Sequence, residues 1–192
     1  MTIKLLATLR DKDIFPNRTF KVINEWQPRK TVKIIVLNDD NQIALVTNSI
    51  HGIYLLPGGG IEDGEKIEQA ATRECEEEIA YGINSHIIIG KTKEFRSRDS
   101  KEYDTSCVLA KITKPVGQDR RTDNEKDLEL KAKWFNLSDA QAILREQENK
   151  LKAGKIEFYN VGFNIVRDKI FVEHFIKIKN HASQISHGNN NI

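Results

Sequence analysis

The period of the apolar positions changes several times along this chain, and each change predicts an element. Residues 3 to 9, "IKLLATL", form an apolar run, "RDKDIFPN" interrupts it, and "RTFKVI" alternates. Residues 1–28 are therefore expected to form an N-terminal hairpin extension. "TVKIIVL" and "QIALVTNS" flank Asn38-Asp39-Asp40-Asn41, a polar turn signal that predicts a central antiparallel hairpin. "GIYLLPGGG" adds a short strand ended by Pro57 and the glycines. Proline lacks the N–H that a ladder needs, and glycine opens backbone angles that other residues avoid.

A helical pattern follows. "KIEQAATRECEEEIA", Lys66 to Ala80, contains no Pro or Gly and is rich in strong helix formers, with Gly82 placed to end it. "INSHIIIGKTKEF" and "YDTSCVLAKIT" predict two further strands joined by the charged "RSRDSKE". "KPVGQDRRTDNEKD" reads as a polar loop. "LELKAKWFNL" reads as a strand running into Ser138, the expected N-cap of "DAQAILREQENKL". Phe158 to Ile178 is amphipathic and compatible with a helix, although its β-branched "FYNVGFNIV" leaves a strand open. Residues 181–192 lack core residues and read as a flexible tail, which leaves residues 1–180 as one domain.

Composition narrows the class of partner. Of the 192 residues, 39% are hydrophobic and 30% charged, the balance of an ordinary soluble globular chain. A net charge of +2 argues against a dedicated nucleic-acid binder and for a small-molecule partner. Cys75 and Cys107 lack metal-site or disulfide spacing, so both are expected in the core of a protein from a reducing compartment, the cytoplasm. The first twenty residues contain Lys4, Arg10, Asp11, Lys12 and Asp13 and therefore lack the apolar run of a signal peptide, and no apolar run reaches the roughly 18 residues of a membrane span. The five histidines show no metal-ligand spacing.

The acidic stretch from Glu62 to Glu78 calls for an explanation. At about 100° per residue, with Arg73 at zero, Glu77 falls near 40°, Glu74 near 100° and Glu78 near 140°. The same face carries Ile67, Ala70 and Ala71, the residues expected to pack, whereas Glu68, Gln69 and Glu76 fall on the far side. A solvated glutamate-rich face is the competing reading. Against it, Glu74 and Glu78 stand four apart with no Lys or Arg expected beside them, and such like pairs oppose a helix by about 0.2 to 0.5 kcal/mol. A hard divalent cation removes that repulsion by coordinating the carboxylate oxygens. Gly58-Gly59-Gly60, just ahead, would let backbone groups approach the same ion or a phosphate.

Written out, the stretch is Gly59, five residues, Glu65, seven residues, Arg73-Glu74, two residues, Glu77-Glu78. It resembles the Nudix box, G-x5-E-x7-R-E-U-x-E-E-x-G-U with U a bulky apolar residue. Cys75 stands in place of a larger aliphatic residue, and Ala80-Tyr81 in place of glycine and an aliphatic residue.

This resemblance implies an α/β fold, a Nudix-type α/β/α sandwich with a mixed central sheet. It also implies an enzyme that uses Mg2+, with Mn2+ able to substitute, to hydrolyse a pyrophosphate bond in a nucleoside diphosphate linked to another group. Glu74 and Glu78 would be the main metal ligands, with Glu77 sharing the shell and the Gly59 carbonyl completing it. Arg73 would hold a neighbouring glutamate by a charge-assisted pair, and Glu65 would support the loop or ligate. The general base would be a box glutamate or an acid of "DNEKDLELKAKW", with Glu125 preferred over Asp127 and Glu129.

Substrates in view are a nucleoside triphosphate, oxidised forms included, or a nucleotide sugar. The alternative is a non-catalytic Nudix-fold nucleotide sensor, disfavoured because the box acids are intact. An isomerase on the same fold is disfavoured as well, since Cys75 sits in a different setting. Arg96, Arg98 and Lys101 are read either as phosphate contacts or as an exposed turn, Tyr54 as a base-stacking or packing residue, Trp134 as core and Trp26 as an interface or lid residue. Oligomeric state, a homodimer included, is left open.

Overall fold

The computed structural model describes residues 2–47, 52–117 and 131–188. Its elements are β1 (Leu5–Arg10), α1 (Asp11–Ile14), β2 (Gln27–Leu37), β3 (Ile43–Thr47), β4 (Tyr54–Leu55), α2 (Ile67–Glu78), β5 (Tyr81–Arg96), β6 (Lys101–Pro115), β7 (Lys131–Phe135), α3 (Leu137–Lys152) and α4 (Tyr159–Gly188). The sheet runs β1-β5-β6-β2-β3-β4, with β7 paired to β3. β1 lies parallel to β5 and β2 parallel to β6, while the other pairs are antiparallel, so the sheet is mixed.

Strand β2 organises the layers. Its apolar run is continuous because both of its faces are covered. Val32, Ile34 and Val36 pack with Ala70, Ala71 and Cys75 of α2 on one face. Ile35 and Leu37 meet Leu144 of α3 and Phe171 and Val172 of α4 on the other. Each large apolar side chain so buried contributes about 1.5–3 kcal/mol. Helices therefore lie on both faces, and the expected α/β/α sandwich is present. A third cluster joins Leu9, Ile14 and Phe15 to Leu151, Tyr159 and Phe163.

Three local expectations are corrected, at the N-terminal hairpin, the start of α3 and the end of α2. Residues 15–26 contain no strand, so there is no N-terminal hairpin. β1 instead extends the sheet alongside β5, with Thr8 beside Lys93 and Leu9 beside Glu94. Phe20, in the segment that suggested alternation, lies against the Tyr159 ring at 6.3 Å, and Phe15 of the interrupting segment stacks on the same ring at 5.8 Å, while Val22 stays 90% exposed. Residues 181–188, the first part of the segment expected as a flexible tail, continue α4, and residues 189–192 lie outside the described residues. Helix α3 begins after Asn136 rather than Ser138, whose hydroxyl turns to Asp139 at 3.4 Å.

At the end of α2 the reversal falls on Ala80, at φ +59°, and not on Gly82, which lies in β5. Ala80 stands where the box usually has glycine. It takes the left-handed conformation itself, and its carbonyl accepts the Val116 N–H at 2.9 Å. No helix among the described residues is long and apolar enough to cross a membrane.

Candidate functional site

The glycine loop is laid along β2 as though it were another strand. Ile34 N–H donates to Pro57 O at 2.9 Å, Val32 N–H to Gly59 O at 3.0 Å, and Ile61 N–H to Lys30 O at 3.1 Å. Gly58 has φ +125°, and a Cβ there would run into the Val32 carbonyl, so only glycine fits.

Helix α2 delivers its acids to this loop. Lys66 N–H donates to the Gln69 side chain at 2.9 Å, closing the first turn. Ala70, Ala71 and Cys75 anchor the buried face, while Glu68 and Gln69 are exposed, as the helical arithmetic predicts. Glu74 is buried at 7% exposure, with its carboxylate against Gly59: a Cβ on Gly59 would lie 2.6 and 2.8 Å from the two carboxylate oxygens. One turn on, Glu78 Oε2 accepts the Gly58 N–H at 2.7 Å. Two carboxylates four residues apart thus meet two consecutive glycines.

Arg73 ties helix to loop with all five of its donors. It bonds both oxygens of Glu65 at 3.0 Å, the Gly60 carbonyl at 2.9 Å, Glu74 at 2.8 Å and Glu77 at 3.1 Å. The expectation that no Arg or Lys stands beside Glu74 is therefore corrected. The Arg73 guanidinium reaches forward to Glu74 and to Glu77 one turn on because its long side chain spans the gap that the backbone angle leaves. These bonds hold the Glu65 carboxyl below the usual carboxylate range and push the Arg73 guanidinium above its ordinary value, Glu65 being the largest cause. Glu65 serves as a strut between loop and helix.

Among the described residues no three His, Cys, Asp or Glu side chains stand together as a ready ion cage. The fit to a cation is carried instead by the Gly58–Gly59 cradle. A Cβ on Gly59 would fill the space that the Glu74 carboxylate uses, and the Glu78 carboxylate meets the neighbouring Gly58, so two carboxylates, donors that hard divalent ions prefer, come to one short stretch of backbone. The Gly59 carbonyl accepts one N–H from Val32 and keeps a second lone pair.

Beside the box lies an open groove of about 630 Å³, lined by Arg29 and Lys30 of β2, residues 60–65 of the loop, Arg73 and Glu74. Arg29 and Lys30 were missed by the reading of the chain. The only trace they leave there is a basic pair at the start of an apolar run, and the pairing of Thr31 with Gly60 is what brings them to the loop.

Other candidates fall elsewhere. Arg96 is 3% exposed, bonded to Glu94 and to Asn160 and Asn164 of α4, and packed on Tyr103 and Phe163, so it is a core cation and not an exposed turn residue. Arg98 sits over the Tyr159 ring, and Lys101 opens β6 beside Gln27. None of these three lines the groove. Tyr54 packs edge-on to Phe135 at 5.3 Å, Trp134 to Tyr81 at 6.1 Å and Trp26 to Phe95 at 5.2 Å. Cys75 and Cys107 are wholly buried, and burial pushes both thiols well above their ordinary pKa. Glu125, Asp127 and Glu129 lie outside the described residues.

Comparison with known proteins bears on the family and the fold. A solved Nudix hydrolase from Nitrosomonas europaea superposes with a TM-score of 0.51 over 69% of this chain and 98% of its own, at 20% identity, which speaks to the fold. The ADP-ribose pyrophosphatase of Methanocaldococcus jannaschii is 27% identical over 121 residues, covering 61% of this chain and 68% of that protein. The RNA pyrophosphohydrolase of Acinetobacter baylyi is 39% identical over 66 residues, 34% of this chain. The chain spans less than half the length of several curated relatives: 39% of the Acinetobacter protein, 42% of an RNA pyrophosphohydrolase from Ruthia magnifica and 27% of a relative from Caenorhabditis elegans. The NUDIX domain model matches residues 27–159, more than half of the chain and the whole of the glycine loop and acidic helix, and the chain belongs to the Nudix family.

Proposed function

We propose that this protein hydrolyses a pyrophosphate bond in a nucleotide, either a nucleoside diphosphate linked to a second group or a nucleoside triphosphate, in a reaction that depends on Mg2+. The observation that carries the reading is the meeting of Glu74 with Gly59 and of Glu78 with Gly58, with Glu74 also lining the groove that Arg29 and Lys30 border. The relatives' names, which include ADP-ribose pyrophosphatase and RNA pyrophosphohydrolase, support chemistry at a phosphoanhydride. We take residues 1–180 to act as one unit, since β1 and α4 both contribute to the packed layers.

Glu74, Glu78, Glu77 and the Gly59 carbonyl would hold the cation. When bound, it would neutralise the phosphate oxygens and draw charge from the leaving group. The remaining work falls to the chain. Arg29 and Lys30 face the groove and orient the phosphates by charge, with Arg suited to a two-point contact. Arg73 holds Glu65, Glu74 and Glu77 so that the carboxylates keep their places while substrate enters. A water attacks phosphorus in line, a new P–O bond forms, and the bridging P–O bond breaks with its electron pair leaving on the departing phosphate. The water's proton passes to a carboxylate, for which Glu125 is proposed.

The test is product release from a panel of nucleotides with and without Mg2+, using the native chain and Glu78→Gln. Turnover should require the cation and fall at least about a hundredfold in the variant, with the fold intact by circular dichroism. Undiminished Mg2+-dependent hydrolysis by Glu78→Gln would refute the assignment.

A further inference from the structure

The segment that enters the glycine loop is held from the side opposite α2 by three buried polar side chains that the Nudix box does not include. Lys33 lies in the apolar run of β2, between Val32 and Ile34, at 9% exposure. Its ammonium donates to the Leu56 carbonyl at 2.9 Å and also to the Gly58 carbonyl. Asp168, on α4 and wholly buried, accepts the Leu56 N–H at 2.9 Å through Oδ2, while its other oxygen takes the Arg167 guanidinium at 2.9 Å. Gln147, on α3 and 5% exposed, bonds Tyr54 twice: it accepts the N–H at 2.7 Å and donates to the carbonyl at 2.8 Å. The Gln147 amide thus replaces a neighbouring strand at the outer edge of β4.

Tyr54, Leu56, Pro57 and Gly58 are each hydrogen-bonded through the backbone. Tyr54 is fixed by Gln147, both polar groups of Leu56 by Asp168 and Lys33, and the Pro57 carbonyl by Ile34. At Gly58 the carbonyl is held by Lys33 from below and the N–H by Glu78 from above. A core selected for stability alone would place an apolar side chain at position 33. Burying an ammonium among carbonyls carries a desolvation cost that an apolar residue of similar volume avoids.

We propose that Lys33, Asp168 and Gln147 are positioning residues for the cation site, setting through the backbone of residues 54–59 where Gly58 and Gly59 meet Glu78 and Glu74. The proposal rests on the cation-dependent reading above. It extends the functional unit past the residues matched by the family model, since Asp168 lies beyond residue 159.

Binding of Mn2+ alone, followed by the electron paramagnetic resonance signal of the free ion, tests this on the full chain without relying on turnover. Lys33→Met keeps the length of the side chain and removes its donors, and Gln147→Ala releases Tyr54. Each should raise the Mn2+ dissociation constant by about 10- to 100-fold, the range for residues that orient metal ligands. Thermal melts must place both variants in the folded state at the assay temperature, where a merely structural role would leave the affinity unmoved. Native affinity in a folded Lys33→Met or Gln147→Ala would overturn the proposal, and if one variant does not fold the other decides. Absence of Mn2+ binding by the native chain would overturn the cation reading itself, and this inference with it.

Discussion

Gly59→Ala offers the sharpest perturbation of the site. Gly59 has an ordinary negative φ region available, for it is absent from the positive-φ glycines, so alanine meets no backbone strain there. The added Cβ would instead stand 2.6 Å from Glu74 Oε1, where ordinary contact begins near 3.4 Å. The carboxylate must therefore retreat by the difference, 3.4 − 2.6, or 0.8 Å. It has little room to do so, being buried and bonded to Arg73 at 2.8 Å. A displacement of about 1 Å at a reacting centre costs about a hundredfold in rate, equivalent to about 2.7 kcal/mol. Loss of one charge-assisted bond would add about 1.5–3 kcal/mol of destabilisation. The assay is Mg2+-dependent turnover and Mn2+ affinity beside a thermal melt, with Gly154→Ala as control. Gly154 has φ +71° and nothing within 4 Å of its missing Cβ, so that variant should lose about 1–2 kcal/mol of stability and no catalysis. Native turnover and Mn2+ affinity in Gly59→Ala would refute the view that the Glu74 carboxylate must rest on this glycine.

Three further outcomes are expected. Arg73→Lys removes the planar fork that grips both Glu65 oxygens, so Mg2+-dependent kcat should fall by about 10- to 100-fold, measured by steady-state kinetics. Ala80→Gly relieves the left-handed conformation at φ +59° and should stabilise the chain by up to about 1 kcal/mol, read by calorimetry as a higher Tm. The Glu65 carboxyl is depressed by Arg73, so its contribution to stability is complete above its unfolded pKa of about 4.3 and is lost as pH falls through the lower folded value. Urea titrations from pH 6 to pH 3 should therefore show a steeper acid loss in the native chain than in Glu65→Gln.

Much of the architecture was written in local pattern. The central hairpin declares itself through two apolar runs around a polar turn, the helix carrying the acids through its strong helix formers and lack of Pro and Gly, and the two long strands through apolar runs on either side of a charged segment. The N-terminal region misled because "RTFKVI" has a strand's alternation while its aromatic ring at Phe20 is drawn onto Tyr159, far along the chain. Arg96 misled in the same way. Its neighbours "RSRDSKE" are turn-like, yet Glu94, Asn160 and Asn164 surround it once β5 meets α4.

By itself the sequence determined that Glu74, Glu77 and Glu78 share one helical face and that flexible glycines precede them, because both facts follow from positions close together in the chain. Only the tertiary structure decided where those acids rest. Arg73 is bonded to loop and helix together, and Arg29 and Lys30 reach the groove through the pairing of Thr31 with Gly60. Lys33, Gln147 and Asp168 hold one short segment from three separate elements. No periodicity encodes such contacts, since they depend on side chains that are distant in sequence and become neighbours only when the sheet and its two helical layers close.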